Sequence, residues 1–179
     1  HTYGYGVKAF GLSMVEAAIT ISQSQVPTEV LAHLLQLTRD LLLAPVRLLD
    51  GVPEVLAELA KSHRLILITK GDLVHQTRKV TTSGLDHLFD HVEIVLEKDV
   101  ATYAKVFRDI SVQPEKVCMV GNSVKSDILP ILELGGHAVH IPYHFLWELE
   151  QAEHPPTSPR FGELTNINEL PAWIHQLSI

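Results

Sequence analysis

Val117-Cys118-Met119-Val120 runs without a break into Gly121-Asn122-Ser123-Val124-Lys125-Ser126-Asp127. Four apolar residues bounded by a turn-forming segment read as a buried strand of a parallel sheet. The loop behind it puts the amide of Asn122 and the carboxylate of Asp127 at the strand's carboxyl end. Pro130 has no N–H for an interior helix bond, so the next helix is expected to start near Ser126 or Asp127. Two other stretches have the same form. Leu65-Ile66-Leu67-Ile68 leads into Thr69-Lys70-Gly71-Asp72, and Val92-Glu93-Ile94-Val95 leads into Glu97-Lys98-Asp99. Side chains just past the carboxyl ends of neighbouring parallel strands converge on one crevice, where open α/β sheets bind ligands. Thr69, Lys98 and the Asn122–Asp127 segment are therefore expected to form one site.

The segments between these strands read as helices. Leu73 to Ser83 is expected to be helical, with Asp72 as N-cap and Gly84 past its end; Val100 to Ile110 follows Asp99 with Val100, Tyr103, Phe107 and Ile110 on one face. Pro53 to Ser62 is a helix before the first strand, another helix ends at Gly135-Gly136, and His137 to Ile141 is a fourth strand. Alternation of this kind predicts an α/β fold, a parallel sheet with helices on both faces. Ahead of it, Leu12 to Ile21 carries Leu12, Val15, Ala18 and Ile19 at helical spacing, with Ser13 available as a cap. Thr28 to Leu43, capped by Thr28, has a wide apolar stripe that Pro45 ends. The expected division is a helical part over 1–50 and the α/β core over 51–179. Pro155-Pro156-Thr157-Ser158-Pro159 reads as a surface loop and Asn168 to Leu177 as a last helix.

The 179 residues are 46% hydrophobic, enough for one well-buried core and a small accessory element. A formal charge of −7 without a Lys/Arg cluster argues against a nucleic-acid binder. The chain has no apolar run of about eighteen residues and no signal-peptide pattern, so a cytoplasmic protein with no membrane partner is expected. Cys118, inside the third apolar run, reads as a small buried hydrophobe in a reducing compartment, and one cysteine excludes a disulfide framework. The chain opens at His1 with His-Thr-Tyr-Gly-Tyr-Gly, which contains no start-like segment, and a fragment or processed product is expected.

Each site has a bland alternative. The turn Thr69-Lys70-Gly71 offers a hydroxyl and backbone N–H groups that suit a phosphate oxygen, or else Thr69 and Asp72 serve only the turn and the cap. Lys98 can neutralise charge on a transferring phosphoryl group or be a surface lysine; Lys105 is its rival, but lies off the apolar face of its helix. Asn122 and Asp127 are hard oxygen donors suited to Mg²⁺ or to orienting the lysine, or Asp127 is a helix cap. His137, His140 and His144 lie close in sequence, but strand residues three apart point to opposite faces, which does not make a metal site. Tyr143, Phe145 and Trp147 read as core packing or an interface. No Asp-x-Asp pair occurs in the sequence.

In order and spacing, the three sites resemble the second, third and fourth motifs of the haloacid dehalogenase-like hydrolase superfamily. Those motifs are a strand ending in Thr or Ser, here Thr69; a lysine after the next strand, here Lys98; and Gly-Asp-x-x-x-x-Asp, here Gly121 to Asp127. The resemblance covers about residues 51 to 142 and implies a Rossmann-like core, with the helices ahead of it as a partial mobile cap. It implies a Mg²⁺-dependent phosphatase of small phosphorylated metabolites that works through an aspartyl-phosphate. Thr69, Lys70, Gly71 and Ser123 would then bind the phosphoryl group, and Lys98 would hold nucleophile and phosphoryl group together. Asn122 and Asp127 would serve Mg²⁺, and Tyr3, Tyr5, Lys8 and Phe10 of the cap would be candidates for substrate contact.

The sequence departs from the superfamily pattern twice. Asn122 stands where Asp is usual, which removes a charge from the Mg²⁺ site while keeping an oxygen donor. The first motif, a strand ending in the nucleophilic Asp with a second acid two residues on, is missing. Its strand would lie between those ending at Thr69 and Val120, and its absence leaves a gap about 4.8 Å wide. The expectation is that the nucleophile lies on residues outside this chain, which alone is inactive. A non-catalytic binding or assembly domain and a haloacid dehalogenase, which attacks carbon without Mg²⁺, are the alternatives.

Overall fold

The computed structural model describes residues 2–143 and 157–177. It divides into two compact units, residues 1–48 with 67–96, and residues 49–66 with 97–179.

The first unit holds helices α1 (Val7–Ile21) and α2 (Thr28–Leu43), strand β1 (Ile66–Lys70, entering from the other unit), helix α4 (Leu73–Ser83) and strand β2 (His91–Val95). α1 begins five residues before the expected Leu12, and Ser13 lies within it rather than capping it. The cap position belongs to Gly6 at φ 102°, a conformation side chains resist. Thr28 is the first helical residue of α2, with Pro27 at its N-cap. The two helices pack closely at Gly11, where a Cβ would collide with Thr38. Their apolar residues are largely on the surface: Phe10, Leu12, Ile19, Leu35, Leu37 and Leu41 are all exposed. β1 runs two residues beyond the expected Ile68 and takes in Thr69 and Lys70. It pairs with β2, and the Gly71 N–H donates to the Val95 carbonyl at 3.2 Å beyond the strand's end. α4 has the expected bounds, with Asp72 at its N-cap and Gly84, at φ 72°, at its C-cap.

The second unit holds α3 (Val52–Leu59), α5 (Val100–Asp109), β3 (Cys118–Gly121), α6 (Leu129–Glu133), β4 (His137–His140), β5 (Phe161–Glu163) and α7 (Leu170–Ile174). β3, β4 and β5 are parallel, with Cys118 opposite His137 and Val139 opposite Gly162. Val139 joins Val55 and Leu59 of α3, Leu164, and Leu170 and Ile174 of α7 in one buried cluster. Its strand neighbour Ala138 points the other way and is also fully buried, as is Ile131 of α6, so helices cover both faces of β4. The α/β reading holds, but its parallel strand β5 was not foreseen. The expected helix start at Ser126 or Asp127 is corrected: a π turn spans Val124–Ile128 and α6 starts at Leu129, with Pro130 in its first turn. The last helix, expected from Asn168 to Leu177, is shorter: a 3₁₀ turn over Ile167–Glu169 and then α7. His144, Phe145, Trp147, Pro155 and Pro156 lie outside the described residues; Tyr143 is exposed.

Candidate active site

In the second unit, Lys98 lies one residue before Asp99, which caps α5 by accepting the Thr102 N–H at 2.8 Å. The Lys98 ammonium donates to Asp127 Oδ1 at 2.7 Å, with side chains only 14% and 5% exposed. Asp127 Oδ2 accepts the Ser123 N–H at 3.1 Å. Ser123 closes the turn from both ends: its hydroxyl accepts the Ser126 N–H at 3.1 Å and its carbonyl the Asp127 N–H at 2.8 Å. A π turn inserts one extra residue per turn and is frequent at functional sites. Here it folds the Asp127 carboxylate back over the end of β3, into space that Gly121 leaves open; a Cβ at 121 would fall within 2.5 Å of Asp127 Cβ.

Asn122 is exposed. Its backbone carbonyl is 3.2 Å from His140 Nε2, and His140 Nδ1 is 3.0 Å from Glu163 Oε2 on β5. Both partners accept, so a neutral ring with one N–H serves one of them at a time. Lys105 is exposed, on the solvent side of α5. Burial pushes the Cys118 thiol up to about 12, which keeps it protonated and unreactive. His137, at the other end of β4, is pushed below its ordinary 6.5 by burial and then by Arg160, and its Nδ1 is buried without a partner among the described residues.

For Mg²⁺, the amide oxygen of Asn122 and the carboxylate of Asp127 are donors of the right kind. Asp127 already accepts from Lys98 and Ser123, yet a carboxylate has about four acceptor sites and keeps capacity for a cation. Among the described residues, no three His, Cys, Asp or Glu side chains gather as a metal site. These donors alone would supply only a minor share of the oxygens that a Mg²⁺ ion takes.

In the first unit, Thr69 is half-buried within β1. The Lys70 ammonium lies 4.3 Å from the centroid of the Tyr5 ring, and its carbonyl accepts from Gln76 Nε2 at 3.0 Å. Asp72 accepts the His75 N–H at 2.9 Å and pairs with Lys8 at 2.9 Å. The Lys8 hydrogen bond, followed by that from His75, holds the Asp72 carboxyl below the usual carboxylate range. Burial pushes the His75 ring below its ordinary value. Tyr5 and Lys8 thus reach the turn after β1, whereas Tyr3 and Phe10 are exposed. Sequence reasoning singled out Tyr5 and Lys8 without seeing their partners, since the contacts span more than sixty residues of chain.

The family described as haloacid dehalogenase-like hydrolase matches residues 2–135. The chain belongs to this family. It is 35% identical to a haloacid dehalogenase-like family hydrolase from Xanthomonas campestris, with a TM-score of 0.87 over 97% of this chain and 69% of that one. It is 28% identical to the glyceraldehyde 3-phosphate phosphatase of Methanothermobacter thermautotrophicus, over 62% of this chain and 50% of that protein. It is 29% identical to the N-acylneuraminate-9-phosphatase of Mus musculus, over 73% of this chain and 53% of that protein. The chain spans about half the length of these two curated relatives. Among the described residues, no helix is long and apolar enough to cross a membrane.

Proposed function

We propose that the complete protein is a Mg²⁺-dependent phosphatase of small phosphorylated metabolites. The observation that carries this reading is the buried Lys98–Asp127 pair at the carboxyl end of β3. A lysine held there by a carboxylate and largely shielded from water suits the charge that develops on a transferring phosphoryl group. Two relatives that carry phosphatase names support the substrate class.

In this reading the nucleophile is an aspartate on residues outside this chain. The aspartate attacks phosphorus, the bond to the leaving oxygen breaks, and a second acid returns the proton to the alcohol. Water then releases phosphate from the acyl-phosphate. Within this chain we assign Thr69, Lys70, Gly71 and Ser123 to the phosphoryl oxygens and Lys98 to the charge between nucleophile and phosphorus. Asn122 and Asp127 would hold Mg²⁺, whose charge would neutralise that of the phosphoryl oxygens. Helices α1 and α2 are assigned to the cap, with Tyr3, Tyr5 and Lys8 as substrate contacts, and a cytoplasmic setting follows from the metabolite substrates.

The test is phosphate release by the full-length protein from a panel of small phosphate monoesters, with Mg²⁺ and with EDTA. Release that EDTA abolishes supports the reading, and release indifferent to EDTA overturns the metal assignment. Asn122 in place of the usual Asp favours a second reading, a non-catalytic binding domain. Saturable binding of a monoester without turnover would select that one.

A further inference from the structure

We infer that the Tyr103 hydroxyl is a positioning group that sets the Lys98–Asp127 pair. In a regular helix the Ser126 carbonyl would accept the N–H of residue 130, but Pro130 has none. The backbone bonds around it change spacing: Asp127 N–H returns to Ser123 at the ordinary α interval, whereas Leu129 N–H reaches one residue further, to Val124. The Tyr103 hydroxyl donates to the Ser126 carbonyl at 3.0 Å, from a side chain that is fully buried.

Two residues near the start of α5 thus grip two consecutive residues of the π turn. Lys98 holds the Asp127 carboxylate, and Tyr103 holds the carbonyl of the residue just before it. The Ser123 bonds close the turn on itself, and these two contacts tie it to the α5 end at two points, which sets the separation and the rotation of the carboxylate against the ammonium. The Tyr103 ring has a separate task, packing against Phe107 with centroids 6.0 Å apart. Phenylalanine at 103 would keep that packing and remove the hydroxyl that grips the Ser126 carbonyl. The consequence for catalysis rests on the phosphatase reading of Lys98; the placement itself does not.

The test is a lysine-acylation profile of the intact protein, read by mass spectrometry as the modification rate of Lys98 relative to exposed Lys105. Tyr103→Phe is expected to raise that ratio about fivefold or more, the scale of one hydrogen bond. Asp127→Asn, which removes the partner charge, sets the upper limit. Pro130→Ala offers the Ser126 carbonyl a backbone donor in place of Tyr103 and lets α6 wind backwards, so it should also raise the ratio. It carries the test if Tyr103→Phe does not fold. A Tyr103→Phe protein that melts earlier but keeps the ratio within about twofold of wild type overturns the inference, since a purely structural hydrogen bond predicts that result. No change in Asp127→Asn overturns it too. Because phosphate release is not read, a freed Lys98 in a protein that turns out inactive would leave the positioning standing and sink only the phosphatase reading.

Discussion

Removing Lys98 should cost more stability than neutralising Asp127. At 2.7 Å the gross attraction is about 6 kcal/mol with an effective dielectric near 20, but desolvation of both groups offsets much of it. What a single substitution costs therefore depends on the charge left behind. Lys98→Met strands the Asp127 carboxylate, only 5% exposed, with the Ser123 N–H as its remaining partner among the described residues. The cost expected is that of a broken buried pair, about 3–5 kcal/mol. Asp127→Asn keeps the shape and strands an ammonium that is 14% exposed on a flexible stem, which reaches water more easily. Its cost should be about 1–3 kcal/mol. The Lys98→Met/Asp127→Asn double variant should lose less than Lys98→Met alone, because no buried charge remains. Urea unfolding of the four proteins at pH 7, at low salt and in 0.5 M NaCl (about a threefold shorter screening length than at 0.05 M), gives the cycle. The coupling should survive salt. A Lys98→Met loss within about 0.5 kcal/mol of wild type, or a coupling that vanishes in salt, would show an exposed surface pair and refute the reasoning.

Gly121→Ala forces a methyl against Asp127 and should cost about 1–3 kcal/mol in the same assay while raising Lys98 acylation; unchanged stability would mean the turn can shift freely. Asp72→Ala should cost about 1 kcal/mol at pH 7 through the lost α4 cap. Because the folded Asp72 value is lowered, that deficit is full above the ordinary 3.8 and closes as pH falls through the folded value; a deficit that grows on acidification would contradict the sign. The His137 value is lowered as well, so its neutral form contributes fully above 6.5, and stability should fall as pH drops from there towards its folded value. His137→Asn should flatten that slope. Cys118 should resist thiol reagents at pH 8 in the native protein and react on unfolding; rapid native labelling would refute its burial.

Much of the fold could be read in the sequence because its punctuation is local. Asp72 and Asp99 cap α4 and α5 with side chains that accept a backbone N–H three residues on, and Gly84 ends α4 through its left-handed backbone. β5 was missed because Phe161-Gly162-Glu163 is too short to show alternation, and its Gly packs under Trp173 rather than marking a turn. The early start of α1 was hidden because Gly4, Gly6 and Gly11 obscure the helical pattern, although Gly11 is there to let α2 approach. The π turn was out of reach for a different reason. Pro130 signalled a break, but where the lost donor is replaced depends on Tyr103, twenty-three residues from the Ser126 carbonyl it serves. At the site, Lys98 and Asp127 were chosen by chemistry and strand position and do meet. The ties of Lys8 to Asp72 and of Tyr5 to Lys70 depend on tertiary approach, which spacing does not encode.

The most direct measurement is the rate of phosphate release by the full-length protein and its Lys98→Ala variant, each saturated with Mg²⁺ and a small phosphate monoester. The account predicts a kcat lower by about 10²–10³ in a variant that stays folded. An equal kcat in the two proteins would contradict it.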